Sequence, residues 1–234
     1  FIPLLEEKLF LANAMVIAIF MFFVRFISAG TPVLGVFWRY AGSAICLLFI
    51  LLGSLLMLRE NNLRRMIIFS WIAQFGFVFV VLPSFNLVAN EANAAVLFFI
   101  FYYVIMLSGC NACIGYLQNK PAFTLIFTLF FLSLAALPPT FGFFARGYLF
   151  ATAIKAGDLV LVVASSVASL ILLYCYLRPV VFMYFAPSKN MLEPVSNKVL
   201  PHTVFAVIVL AVIVITVLGV TPDSLFAFVG RTVF

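Results

Sequence analysis

The chain reads as an all-α integral membrane protein of about seven transmembrane helices, one of them broken at Pro138-Pro139. Three observations predict this class. Hydrophobic residues make up 67% of the 234 and charged residues only 9%, against roughly 45–50% and about 25% in soluble domains, so no water-facing surface can be built from them. Apolar runs exceed the roughly 18 residues of a membrane crossing, and only helices or closed barrels satisfy the backbone in lipid. These runs are apolar throughout, whereas barrel strands alternate polar and apolar residues, so a barrel is excluded together with soluble enzymes and disordered chains. Residues 1–234 are taken as a single membrane domain.

Charges and turn residues bound the crossings. The first, 9–29, follows Glu6, Glu7 and Lys8; the second, 34–57, runs up to Arg59 and Glu60. The third, 66–83, begins after Arg64 and Arg65 and stops at Pro83, and the fourth, 92–117, lies between Glu91 and Lys120. The fifth run, 122–155, is anomalous. Its length of about 34 residues would make a helix of about 51 Å, well beyond a hydrocarbon core of about 30 Å. Two separate crossings of about 15 residues, near 22 Å each, would be short. One crossing by a broken helix fits better, because adjacent prolines remove two backbone donors and clash with the preceding turn. The interruption is expected within 137–140, inside protein or beside a water-filled cavity, where irregular backbone is tolerated. The sixth crossing, 159–185, starts after Asp158, and the seventh, 203–220, follows His202.

The formal net charge of +6 comes from 13 Lys and Arg against 7 Asp and Glu. No basic cluster is interleaved with stacking aromatics, so the excess reports topology and not nucleic-acid binding. With seven crossings, Lys8, Arg59, Arg64, Arg65, Lys120, Lys189 and Lys198 share one side, with Arg178 near it. Arg25, Arg39, Lys155 and Arg231 fall on the other, which is eight against four. A second crossing in the fifth run would weaken this to seven against five. The amino terminus is therefore expected to face the cytoplasm or mitochondrial matrix, and the carboxyl terminus the opposite side. The chain opens without an initiator Met or signal-peptide pattern, and reads as part of a longer product.

Arg146 is the most informative residue, eight positions beyond Pro138 and flanked by Phe143, Phe144, Tyr148 and Phe150. A central Arg costs about 2.5–3.5 kcal/mol on insertion scales, so it faces a polar cavity or a carboxylate and marks an ion path; the alternative is that it snorkels or pairs structurally with a neighbouring chain. Arg stays protonated, so it serves as a fixed charge and is a poor relay. Arg64 and Arg65 at the head of the third span are either an interfacial anchor or the mouth of a water chain lined by Ser70, Trp71 and Gln74. Gln74 cannot itself exchange protons. Ser108, Asn111, Ser165, Ser166 and Ser169 suit helix-helix hydrogen bonds, and His202 is interfacial. Cys46, Cys110, Cys113 and Cys175 all fall in apolar segments. The Cys110-Asn-Ala-Cys113 spacing could mark a redox or metal pair, but no His or second pair is near, and packing as small hydrophobes is the expected role. No metal site and no cofactor are expected on this chain, and no carboxylate is expected inside the membrane.

The stretch Phe131-Leu-Ser-Leu-Ala-Ala-Leu-Pro-Pro-Thr-Phe-Gly-Phe-Phe-Ala-Arg-Gly-Tyr-Leu-Phe150 resembles the broken-helix motif of the antiporter-like subunits of respiratory NADH:ubiquinone oxidoreductase. The cation before an aromatic-Leu-Phe end looks most like the subunit 2 branch. Gly53-Ser-Leu-Leu-Met-Leu-Arg-Glu-Asn-Asn-Leu-Arg-Arg-Met-Ile-Ile-Phe-Ser-Trp-Ile-Ala-Gln-Phe-Gly76 resembles the family's glycine, polar linker, basic pair and aromatic-Ser turn. A weaker match is Leu173-Tyr-Cys-Tyr-Leu-Arg-Pro-Val180, similar to a Tyr-rich segment ending in a basic residue.

The resemblance implies a fold of two inverted helical repeats, of which this chain carries the carboxyl-terminal half. Most of the first repeat, with its membrane glutamate and the lysine of its own broken helix, is not in this sequence. Within the matching part the central lysine falls near Val16, the outlet lysine is Arg146, the first residue of the basic pair is Arg64, and the His position is Gln74. The resemblance thus implies a membrane-arm subunit of the proton-translocating enzyme, structural and with part of a proton path, carrying Arg146, Arg64, Gln74 and the Pro138-Pro139 break and no redox centre. Expected partners are lipids and other membrane-arm subunits, including subunit 4-like and 4L-like neighbours and a separate chain supplying the missing repeat. The expected location is the mitochondrial inner membrane, or the plasma membrane in a prokaryote, with the amino terminus on the matrix side. Two other readings stay open: a subunit 4 or 5 relative or cation/proton antiporter subunit, and a purely structural membrane subunit without transport.

Overall fold

The computed structural model describes residues 18, 19, 22, 40–82, 89–114, 121–185 and 208–213. In chain order its helices are α1 (Tyr40–Arg59), α2 (Leu63–Phe79), α3 (Ala89–Ile114), α4 (Pro121–Leu134), α5 (Phe141–Lys155) and α6 (Leu159–Phe185). Residues 208–213 are helical as well, and there is no strand among the described residues. Among the described residues three helices are long and apolar enough to cross a membrane: α1, the stretch Asn90–Ile114 of α3, and α6.

Local chemistry sets the helix ends. Asn62 caps α2, its side-chain oxygen accepting from Arg64 N–H at 3.0 Å. Gly157, at φ +84, closes α5. Its N–H donates to the Ile154 carbonyl at 2.9 Å and Asp158 N–H donates to the Ala153 carbonyl at 3.1 Å, the paired bonds of a Schellman end. A left-handed residue is needed there, and glycine adopts it without penalty.

Cross-helix contacts fix the directions. Along α3, Gly109 meets Phe130, Tyr102 meets Ser133 and Phe141, Phe98 meets Tyr148, and Glu91 meets Lys155. As α3 is read backwards, its partners run forwards through α4 and then α5. The two half-helices therefore lie end to end and make one crossing antiparallel to α3, as their combined length requires. Between α1 and α6 the contacts are Cys46 with Ser165, Ser54 with Cys175 and Leu58 with Arg178, a constant offset that makes these helices parallel. Phe49 stacks on Phe79 and meets Phe75 edge-on, so α1 and α2 form an antiparallel hairpin. The resulting alternation places the α1–α2 turn at one end of the bundle and the α5–α6 turn at the other.

The second half of α2, with the turn after it, is buried at every position from Ala73 to Leu82. A helix apolar all round has no lipid-facing stripe to present, and it takes the centre of the bundle. The expected boundaries shift accordingly. The third span begins at Leu63, not at 66, because Asn62 supplies its cap. The interruption of the fifth run covers 135–140 and so opens two residues earlier than the prolines alone require. The sixth span is as expected, Leu159–Phe185. The first span apart from 18, 19 and 22, the last apart from 208–213, both termini, Lys120, Lys189 and Lys198 lie outside the described residues.

Candidate functional site at the helix break

The break is a designed helix end followed by a designed start. Ala136 sits at φ 57, the left-handed region. Its N–H donates to the Ser133 carbonyl at 2.9 Å, and Leu137 N–H donates to the Leu132 carbonyl at 3.2 Å. This is the same Schellman arrangement that ends α5, here on an alanine. The peptide bond between Pro138 and Pro139 is cis. Thr140 N–H closes the turn on the Leu137 carbonyl at 2.9 Å, and its hydroxyl donates to the same carbonyl at 2.6 Å. Both prolines face outward and are exposed, so the polar interior of the break belongs to α4's last residues.

Gly142 makes the close return of α5 possible. A Cβ there would lie 1.9 Å from the Ser133 carbonyl oxygen and 2.5 Å from the Tyr102 hydroxyl, so no side chain fits. Its N–H donates to Ser133 Oγ at 3.3 Å, while Tyr102 O–H donates to the Ser133 carbonyl at 2.8 Å.

The Schellman end leaves one last carbonyl of α4, that of Leu134, to be satisfied from elsewhere. Two side chains reach it. Arg146 Nη2 donates to it at 3.2 Å, and Gln74 Nε2 donates at 3.4 Å. Arg146 lies in the second turn of α5, and helical side chains lean toward the N-terminus, so its guanidinium reaches back over the break. It is 5% exposed, its Cζ lies 4.2 Å from the centroid of the Phe77 ring, and no described carboxylate pairs with it. Magnitudes explain how the charge is held. A hydrogen bond from a charged donor contributes about 1.5–3 kcal/mol, a desolvated cation–π contact about 2, and the negative end of a helix up to about 2. Together these offset the roughly 2.5–3.5 kcal/mol of placing Arg at membrane depth, and no counter-ion is required.

Hydrogen-bond direction limits the chemistry. Gln74 is fully buried and spends both amide hydrogens as donor, one on Leu134 and one on the Tyr176 hydroxyl at 3.0 Å. The Ser70 hydroxyl donates to the Ile67 carbonyl at 2.6 Å, which leaves it only an acceptor toward any other group. The bonds thus point outward from Gln74, to Tyr176 on one side and to the Leu134 carbonyl on the other, and none runs toward Arg146. A relay needs members that accept on one side and donate on the other, and Gln74 donates on both. Arg146 Nε and Gln74 Oε1 have no protein partner, leaving a donor and an acceptor at which water can join the cluster.

Of the expected site residues, Arg146, Gln74 and the Pro138-Pro139 turn converge. Arg64 does not: it is exposed at the head of α2, ten residues and about 15 Å of helix from Gln74. Ser70 and Gln74 share the buried face of α2 and Trp71 is half-buried. Val16 and His202 lie outside the described residues. The cysteines are free and buried, and no three His, Cys, Asp or Glu side chains gather as a metal site among the described residues. Sequence reasoning missed Tyr102, Tyr103, Ser133 and the Leu134 carbonyl. Tyr102 carried a usable signal, since a phenol within a long apolar span usually finds a polar partner when buried. The carbonyl carried none.

Comparison with known proteins gives the family. Residues 5–172 match the family described as NADH:quinone oxidoreductase/Mrp antiporter, TM. The NAD(P)H-quinone oxidoreductase subunit 2 of Synechococcus sp. (strain JA-3-3Ab) is 30% identical over 191 residues, covering 74% of this chain and 36% of that protein. The NADH-quinone oxidoreductase subunit N of Bdellovibrio bacteriovorus is 31% identical over 201 residues, 78% of this chain and 40% of that protein. Respiratory complex I from Thermus thermophilus superposes with a TM-score of 0.64 at 24% identity, over 79% of this chain and 44% of the matched one. The Mrp complex from Dietzia sp. DQ12-45-1b superposes at 0.65 and 17% identity, over 83% and 46%. The chain therefore spans about four-tenths of the length of the relatives it matches. On the family match over most of its length, with a shared fold beside it, this chain belongs to the NADH:quinone oxidoreductase/Mrp antiporter transmembrane family.

Proposed function

We propose that this chain is a subunit 2-type membrane-arm component of a proton-translocating NADH:quinone oxidoreductase, corresponding to the carboxyl-terminal half of such a subunit. Its role is structural and electrostatic: Arg146 holds a permanent charge at the helix break. The observation that carries this is the buried guanidinium on the Leu134 carbonyl, with Gln74 donating beside it. Ion movement past this point would run through water organised around a fixed cation, because neither Arg146 nor Gln74 exchanges a proton near neutral pH. The relatives named subunit 2 and subunit N support the oxidoreductase over a cation/proton antiporter; the structural likenesses, at 0.64 and 0.65, favour neither.

In this reading the chain holds no cofactor. It packs against other membrane-arm subunits, subunit 4-like and 4L-like chains among them, and against a chain supplying the first repeat. It resides in a mitochondrial inner membrane or a bacterial plasma membrane, with the end bearing Arg59, Arg64, Arg65 and Arg178 toward the matrix or cytoplasm. Purifying the tagged chain from its native membrane should recover NADH:quinone oxidoreductase subunits and NADH oxidation. Recovery with cation/proton antiporter subunits, or of the chain alone as a stable monomer, would overturn the reading.

A further inference from the structure

The two ends of the bundle carry opposite charge among the described residues. At the α5–α6 end Lys155 pairs with Glu91 at 2.6 Å, and Asp158 is also there. At the α1–α2 end Arg59, Arg64, Arg65 and Arg178 face one acid, Glu60, which lies 4.0 Å from Arg65. The turn that presents these arginines is held firmly. Arg178 donates to the Leu58 carbonyl at 2.7 Å, to the Glu60 carbonyl at 3.4 Å and to Asn61 Oδ1. Arg59, Arg64 and Arg65 are all exposed around it.

Below that cationic rim runs an apolar lane. Leu48, Leu52, Leu55 and Arg59 recur at i, i+4, i+7 and i+11 on one face of α1, and the three leucines are 53%, 47% and 50% exposed. Leu51 and Leu56 flank them at 39% and 37%. From Leu48 to Arg59 is about 16 Å of helix, close to the roughly 15 Å of one leaflet of hydrocarbon core. A cation at headgroup depth with leucines for one leaflet beneath it matches an anionic glycerophospholipid in both charge and length. The geometry points to a binding site for such a lipid on α1, with the phosphate held at Arg59 and Arg64 and an acyl chain along Leu55, Leu52 and Leu48.

The test uses the full chain in the complex it purifies with, titrated with dioleoyl phosphatidylglycerol or dioleoyl phosphatidylcholine and read by native mass spectrometry. Phosphatidylglycerol should be retained at least tenfold more strongly than phosphatidylcholine. Retention should fall about tenfold in the Arg59→Gln, Arg64→Gln double variant, fall also in Leu48→Ser, Leu55→Ser, which keeps every charge, and be unchanged in Lys155→Gln at the opposite end. Melting temperature in lipid-free detergent separates loss of the site from loss of the fold. Equal retention of the two lipids, retention indifferent to the arginines, or full competition by millimolar inorganic phosphate would overturn the assignment. So would a photo-crosslinker at position 52 that captures a protein chain in place of lipid.

Discussion

Arg146 shows how a buried charge can be nearly neutral for stability yet specific in effect. The interactions that hold it and the cost of placing it are of similar size, a few kcal/mol each. Removing the side chain loses both together. Arg146→Ala should therefore change the thermal stability of the assembled protein by no more than about 2 kcal/mol. On the proposed function it should nonetheless impair coupling of proton movement to NADH oxidation by tenfold or more, measured as pumping per NADH in reconstituted vesicles. Arg146→Lys keeps a cation opposite the Leu134 carbonyl and restores the residue that the family resemblance implies, so its coupling should stay close to that of the unchanged protein. Equal and mild losses from the two substitutions would leave Arg146 a packing residue.

The broken helix offers two substitutions of opposite sign, at Gly142 three residues after Pro139 and at Ala136 two residues before Pro138. Gly142→Ala would press a methyl group to 1.9 Å from the Ser133 carbonyl oxygen, a contact between two backbones with no flexible atom to yield. A loss of about 3 kcal/mol or more is expected, seen as disappearance of the chain from the assembled complex. Ala136 holds φ 57, where an L side chain costs roughly 1 kcal/mol. Gly157 fills the equivalent place at the end of α5. Ala136→Gly should thus raise stability by about 0.5–1 kcal/mol in thermal unfolding, and a decrease would mean that the alanine methyl packs usefully.

Alternating helix directions make a topological prediction for the full assembly. The Glu60–Asn62 turn and the Ala156–Asp158 turn stand at opposite ends of the bundle, and the described native cysteines are buried. A membrane-impermeant maleimide should label Asn61→Cys from one face of sealed vesicles and Lys155→Cys only from the other. Labelling of both from the same face would mean that α4 and α5 do not complete a crossing. The Lys155–Glu91 contact at that far end is partly exposed, so Glu91→Gln should cost no more than about 1 kcal/mol in the same unfolding measurement.

Membrane class, the order of the described crossings and the break in the fifth were legible in the residues alone, because each follows from quantities that run along the chain. An apolar run has a length, and a proline lacks a donor wherever it sits. Arg146 was legible for the same reason, as a charge in the middle of a run. What Arg146 touches was not. Gln74 and Leu134 lie 60 residues apart and Gln74 and Tyr176 lie 102 apart, and their meeting depends on how the helices are rotated and packed. Uniformly apolar helices give little hint of rotation, since no polar stripe marks an outer face; α2 took the centre of the bundle for that reason. The early opening of the break at 135 was likewise decided in three dimensions. Alanine at the left-handed position of a helix end carries no sequence signal, and only the Ser133 and Leu132 carbonyls, once satisfied there, left the Leu134 carbonyl for Arg146 and Gln74.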